Sequence, residues 1–544
     1  MTRYFAVAAV LALAGVAHAD ETSASDKLRI LYSTRFTFTD DGLPLVTVEI
    51  MGGQKRVELH ARGGIDVRPD GVGGSTVEAE NPDGGVAWTV TVENSKPALV
   101  QEWTIVETLG PDDATGTNAA IARWKQRGFE PRAFEIGTLF GTGGEVIDTR
   151  ETRIAIDPVA AGKGNARAAD HARRWGVKTS VHEELVRRPS GTIVAKSGSV
   201  RIENPSVLWF MPKHATETLT VADVPTGTGG SQLETGKEDR RYWGAVYVTL
   251  DHDGSLIAGN AVSEDKLLAG LVPAEMYPDA PPAALQAQAI AARTELLQKI
   301  GRRNLTDPFL LCSTQQCQVY AGAGKEDPRT TRAIEATRGI VLLRDGGGLV
   351  DVRYSASCGG HTEDNDAIWG GDPDPSLRGR ADDGSAEMTK VTDVDAFLDE
   401  GPDSAWCGRV KSPSARGKFR WTERVSVSDL SARVATEYPD VGRVQKLEAR
   451  QRGSSGRIEI LAITGERGAI EVTGDLHIRR LLGGLKSTLF DVKRDGDAFV
   501  FRGAGFGHGV GMCQLGAIGM AEAGRSHDKI LAHYYRGTHL HKLY

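Results

Sequence analysis

Glu275 lies in the run Gly270-Leu271-Val272-Pro273-Ala274-Glu275-Met276, just before a stretch broken by Pro278, Pro281 and Pro282. A carboxyl group at the corner of an apolar segment can be partly desolvated, and desolvation raises its pKa. One such carboxyl can both donate and accept a proton near neutrality, as a general acid/base must. The alternative is a solvated or helix-capping glutamate, and most glutamates are solvated. Three further segments carry ligating or polar groups. Cys312 and Cys317 stand five apart. A local disulfide fits that separation, and a zinc pair competes, although the spacing misses the usual Cys-x-x-Cys knuckle. Tyr354-Ser355-Ala356-Ser357-Cys358-Gly359-Gly360-His361-Thr362-Glu363 sets Cys and His at i, i+3. That makes a tight turn facing a groove, or half of a zinc site. Finally, Gly503 to Ala517 packs glycines around His508. The dinucleotide fingerprint fails there, because Val510 stands where the third glycine should be. Glycines instead let backbone approach backbone or ligand closely. His508 is then either a site residue or a buried, hydrogen-bonded histidine.

The elements that must hold these groups are legible locally. Trp243 to Leu250 reads as a strand turned at Asp251-His252-Asp253-Gly254. Ser263 can cap a short helix through Leu267, Leu268 and Leu271 that runs up to Glu275. A second helix spans Ala283 to Ile300 and stops at Gly301. Its Ala287, Ala289, Ala291 and Ala292 bring little bulk, so neighbouring backbones can come close. Asp327-Pro328 starts another helix that ends at Gly339. Ser526 caps a last one through Ile530, Leu531, Tyr534 and Tyr535. Upstream, residues 20–110 read as short strands, with Val86, Trp88, Val90 and Val92 on one face. Residues 111–224 hold a helix capped at Asn118, with Ile121 and Trp124 inward and Gly128 at its end, followed by strands. This small α/β region resembles the SPOR-type glycan-binding modules of envelope proteins. Residues 225–238, rich in Gly, Ser and Thr, read as a linker.

The address is also written locally. Arg3 is the only charge before the apolar run Tyr4 to Val16, and Ala17-His18-Ala19 offers a small-x-small cleavage site. Residues 1–19 are therefore expected to be a signal peptide removed before Asp20. No later stretch is apolar for long enough to span a bilayer. The expected location is the periplasm or cell envelope, or outside the cell. A net charge of -7 gives no basic excess for nucleic acid. There are 5 cysteines, all in the C-terminal half. Disulfides persist outside the cytoplasm, and an odd count leaves at least one thiol unpaired, or bound to a metal or another chain.

Taken in order, the motifs from Gly270 to Gln514 resemble the SpoIID/LytB family, stage II sporulation protein D and its amidase-enhancer relatives. They are Gly270–Met276, Leu285-Gln286-Ala287-Gln288-Ala289-Ile290-Ala291-Ala292-Arg293-Thr294, Cys317-Gln318-Val319-Tyr320, the Tyr354–Thr362 run, and Gly507-His508-Gly509-Val510-Gly511-Met512-Cys513-Gln514. The resemblance implies an α+β multidomain protein, with β-rich N-terminal domains ahead of a mixed α+β catalytic domain over 239–544. It implies a lytic transglycosylase that cuts the β-1,4 bond between MurNAc and GlcNAc in peptidoglycan and leaves an anhydro-MurNAc end. Glu275 would be the acid/base, while Gln288, Arg293, Tyr320, Ser355, Ser357 and His508 would line the glycan groove. No cofactor would be required. Zinc is an option, with Cys358 and His361 as ligands. The alternative function is a non-catalytic peptidoglycan-binding protein that stimulates an N-acetylmuramoyl amidase. Cys312, Cys317, Cys358 and Cys407 look like those of disulfide-bearing, non-sporulating relatives. The expected pairs are Cys312 with Cys317 and Cys358 with Cys407. Cys513 and the long N-terminal region depart from the family pattern, so a role in spore formation does not follow.

Overall fold

The computed structural model describes residues 31–32, 37–39, 41–69, 77–78, 86–142, 144–226, 236–312, 320–383 and 390–544. The expected signal peptide and Cys317 lie outside them. Strands hold 40% of the described residues and helices 27%, and nearly every strand pair among them is antiparallel, consistent with an α+β protein. One short pair, Tyr354–Ser355 with Met512–Cys513, is parallel.

Two sheets face each other over one core. The first runs in the order Thr37–Phe38, Pro44–Gln54, Leu256–Ser263, Ala245–Leu250, Val207–Pro212, Ile65–Arg68, Val77–Glu78. The second runs Val200–Asn204, Ser190–Ser197, Val86–Lys96, Arg56–Ala61, Leu219–Pro225, Lys237–Tyr242. Alternation sends Val57, Leu59, Trp88 and Val90 inward to meet Val46, Val48, Phe210, Val246 and Val248 from the other sheet. All of these are buried, and the removal of such apolar surface from water is the main force holding the sheets together.

The expected division at 225–238 does not separate the sheets. Leu219–Pro225 and Lys237–Tyr242 pair antiparallel, with the Thr226 N–H donating to the Gly236 carbonyl at 2.9 Å, while residues 227–235 of the expected linker lie outside the described residues. Ala245–Leu250 and Leu256–Ser263 then pair with strands from before residue 225. Composition marks a loop, but it does not say whether the strands on either side meet.

A second layer is inserted into this sandwich. Leu99–Leu109, Ala114–Gln126, Arg132–Ile136, Glu151–Ala160, Gly164–Trp175 and Ser180–Arg187 make a β-α-β-β-α-β unit, with a separate two-stranded pair, Leu139–Thr142 and Glu145–Asp148, between its second and third strands. The strands order as Ser180–Arg187, Leu99–Leu109, Glu151–Ala160, Arg132–Ile136. The first helix is capped by Asp113, whose side chain accepts from the Gly116 N–H, rather than by Asn118, which lies inside it. Trp124 is fully buried, as its helical position predicts. The second helix, Gly164–Trp175, escaped the sequence reading because Lys163 supplies no side-chain cap and its exposed positions are arginine-rich.

Beyond residue 263 the chain turns helical. Leu268, Leu271 and Val272 of the Glu264–Glu275 helix pack on Ala289 and Ala292 of the Pro282–Lys299 helix. Residues 420–504 form a unit that the sequence reading did not set apart. Two three-stranded sheets and the Val427–Glu437 helix share a core of Leu430, Leu461, Ile463, Phe499 and Phe501. Among the described residues no helix is long and apolar enough to cross a membrane.

Candidate active site

The Glu264–Glu275 helix ends where Met276 turns extended, with the Met276 N–H donating to the Val272 carbonyl at 3.0 Å. Glu275 is thereby offered from the last helical position. The helix is fixed along its length. At its start, the Glu264 carboxylate takes the Arg293 Nε at 2.6 Å, and both side chains are fully buried. At its middle, Gly270 meets the Tyr320 ring and the Gly322 carbonyl so closely that a Cβ would displace them. Tyr320 is locked in turn by its hydroxyl, which donates to Asn260 Oδ1 at 3.0 Å. At its end, the Gln514 amide donates to the Glu275 carbonyl at 2.9 Å and to Gln288 Oε1 at 3.3 Å.

Glu275 lines a cleft of about 280 Å³. One wall is Pro273 to Tyr277, and the other is Ala356, Lys418, Gln514, Leu515 and Ile518. Among the described residues that line it, Glu275 is the only acid. Tyr277 (42% exposed) and Phe506 (36%) are among the few exposed large apolar side chains, and the Lys418 ammonium lies 4.8 and 5.7 Å from their ring centroids. Such unusual exposure points to a ligand surface. The Tyr354 phenol is held well above its ordinary value, first by burial and then by the Glu275 and Glu295 carboxylates, so it stays protonated within electrostatic reach of Glu275.

The other sequence candidates divide. Arg293 and Tyr320 are not in the groove. Arg293 also donates to the Thr337 and Ile340 carbonyls at 2.7 and 3.2 Å, and Tyr320 belongs to the sandwich core. Both position the Glu275 helix. Gln288 is fully buried and reaches the cleft only through Gln514. Ser357 is fully buried, and its hydroxyl accepts from the Gly359 N–H. Ser355 accepts from the Gly509 N–H at 3.2 Å, tying the two glycine-bearing turns together. His508 is part-buried. Its Nδ1 accepts from the Val510 N–H at 3.0 Å, and its ring lies 4.9 Å from Trp369. Burial pushes its pKa down to about 4, so it is neutral at pH 7. Glycine is required at 509 and 511, both at positive φ, because a Cβ there would strike the Arg457 guanidinium and the Arg353 carbonyl.

The sequence reading missed Tyr277, Lys418 and Gln514 as cleft residues, although Gln514 does close the glycine motif. Arg457 was missed as well. It is fully buried and donates to the Cys358 and His361 carbonyls, with no local signal to announce it.

The cysteines also differ from expectation. Cys312 is disulfide-bonded, while its expected partner Cys317 is outside the described residues. Cys358 and Cys407 are free, with their sulfurs 3.7 Å apart, far from the roughly 2.05 Å of a bond. Nor does His361 join Cys358. Its Nδ1 faces the Thr362 carbonyl at 2.7 Å, and the residues gathered around Cys358 are Asp382, Cys407 and Cys513.

Residues 252–343 match the family model described as Stage II sporulation protein, and residues 363–511 match a domain of unknown function. The chain is 30% identical over 301 residues to the amidase enhancer of Bacillus subtilis, covering 50% of this chain but only 40% of that protein. It is 27% identical over 307 residues to the stage II sporulation protein D of Bacillus amyloliquefaciens, covering 54% of this chain and 77% of the relative. The Bacillus subtilis protein of the same name is 28% identical over 298 residues.

Proposed function

The chain belongs to the SpoIID family, and from that premise we propose that it cuts peptidoglycan glycan strands by a lytic-transglycosylase reaction with Glu275 as the acid/base. The observation that carries this reading is that Glu275 is the single acid among the described residues lining the cleft. Hydrolytic glycosidases need two carboxyl groups, about 5–9.5 Å apart, one of them to act as nucleophile or to activate water. An intramolecular transfer needs one. The Glu275 carboxyl protonates the O4 leaving oxygen of GlcNAc as the C1–O4 bond breaks. The resulting carboxylate then takes the proton of the MurNAc 6-hydroxyl while O6 closes on C1. No water is consumed, and the acid is regenerated. Tyr277 and Phe506 offer flat apolar faces to the C–H faces of the sugar rings, and Lys418 offers a cation to carbonyl oxygens of the acetamido groups. The β-α-β-β-α-β region would serve as a second glycan contact, in the periplasm or cell envelope.

A second reading has one observation in its favour, the 30% identity to an amidase enhancer. In it, the protein holds glycan and stimulates an amidase partner. Mass spectrometry of purified peptidoglycan after incubation with the exported protein separates the two. Anhydro-muramyl fragments support cleavage. No fragments alone, but faster stem-peptide release when an amidase is added, would sink the first reading and support the second.

Gln514→Ala tests how the acid is positioned. It deletes the amide that holds the Glu275 carbonyl, while the rest of the helix anchorage stays. A misplacement of about 1 Å can cost roughly 10²-fold in rate. We expect kcat to fall about 10–10²-fold, with KM changing less. An unchanged kcat would mean that Gln514 does not position the acid.

A further inference from the structure

Outside the Glu275 cleft, four buried ligating side chains converge from four separate segments. Cys358 follows the Tyr354–Ser355 strand, Asp382 and Cys407 come from two loops, and Cys513 precedes the Gln514–Glu522 helix. Their ligand atoms all lie within 4.8 Å of one another. None of the four is more than 1% exposed. We propose that Cys358, Asp382, Cys407 and Cys513 bind one zinc ion in a closed, four-coordinate site.

The geometry favours a metal over a disulfide. Sulfurs at about 2.3 Å from a tetrahedral zinc stand about 3.8 Å apart along each edge. The Cys358 and Cys407 sulfurs are 3.7 Å apart. A carboxylate also has no part in a disulfide, yet Asp382 is fully buried against the three thiols. The outer partners suit anionic ligands. Cys513 Sγ accepts from the Cys358 and Gly516 N–H groups at 3.1 and 3.3 Å. Asp382 accepts from the Cys407 N–H at 2.8 Å and from the Tyr534 hydroxyl at 2.6 Å. Such second-layer hydrogen bonds orient ligands and tune the metal. Three thiolates and a carboxylate exceed the charge of one zinc ion, and the nearby Arg420 guanidinium helps offset the remainder.

The site is closed, so it offers no open position for a substrate, which is the mark of a structural zinc. Its effect on the cleft is mechanical. Cys358 lies two residues from Ala356, and Cys513 directly precedes Gln514, so one ion would clamp both segments of the wall opposite Glu275.

The test uses the full-length exported protein, purified without chelator. Elemental mass spectrometry should find one zinc per chain, retained through gel filtration. After denaturation, a zinc indicator and a thiol reagent should report one zinc and three free thiols. Cobalt exchanged into the protein should show thiolate-to-cobalt charge-transfer absorption. Cys407→Ser and Asp382→Asn should each weaken zinc retention at least 10-fold and lower the melting temperature. Metal-free wild-type protein with three titratable thiols overturns the proposal. So does a Cys358–Cys407 disulfide in non-reducing peptide maps, or full zinc retention in Cys407→Ser. Should the variants fail to fold, the zinc and thiol counts of the wild type still decide.

Discussion

Glu275→Gln is expected to lower release of anhydro-muramyl fragments by at least about 10²–10⁴-fold, the usual contribution of general acid/base catalysis. In the proposed reaction one carboxyl serves both proton transfers, so the loss should sit at or above the upper end. Glutamine keeps the size of the side chain but can neither protonate O4 nor take the proton from the 6-hydroxyl. Fold and binding should persist. Residue 275 ends its helix and is only part-buried, and Gln514 holds its backbone carbonyl rather than its carboxylate. The variant should therefore still sediment with insoluble peptidoglycan and melt close to the wild type. Cleavage at the wild-type rate would mean that the acid lies elsewhere. Glu363 is a poor substitute despite its place beside His361. Its carboxylate is fully buried and accepts from the backbone N–H and hydroxyl groups of both Ser454 and Ser455.

Arg293→Met should cost stability on the order of 3–5 kcal/mol, the usual result of breaking a buried pair from one side. The loss strands the Glu264 carboxylate, which is fully buried, and removes the donor to the Thr337 and Ile340 carbonyls. Denaturant melts followed by tryptophan fluorescence should show the midpoint falling. Adding Glu264→Gln to this variant should recover part of the loss, because the stranded charge is gone. The prediction also separates two roles for Arg293. A groove arginine would raise KM with little effect on melting, whereas a positioning arginine lowers the melting midpoint and kcat together. A shift in stability below about 0.5 kcal/mol, the size usual for exposed positions, would refute the positioning role.

The difference between Arg293 as expected and as found has a physical cause. Helical periodicity tells which face is inward when a helix has one wet face. The Pro282–Lys299 helix is buried nearly all round, so Gln288 and Arg293 carry no sign of which neighbour they meet. Ser357 and Tyr320 are similar cases. Each lies in a motif around the cleft, yet each spends its polar group on a nearby backbone or side chain rather than on a ligand.

What the sequence determined by itself was local. The Asp327 cap, the Gly301 stop just past the Pro282–Lys299 helix, the inward face of Trp88 and Val90, and the motif holding Glu275 at a helix end all depend on residues a few positions apart. Tertiary structure alone decided what crosses long stretches of chain. The strands around 225–238 pair within one sheet, because pairing depends on the partners and not on the composition of the loop. Lys418 and Gln514 reach the Glu275 cleft from more than a hundred residues away. Cys358 meets Cys513 across 155 positions and meets Asp382 and Cys407 from loops without periodicity. Ligation and packing act through distances of a few ångströms, and spacing along the chain fixes such distances only within a single helix, strand or turn.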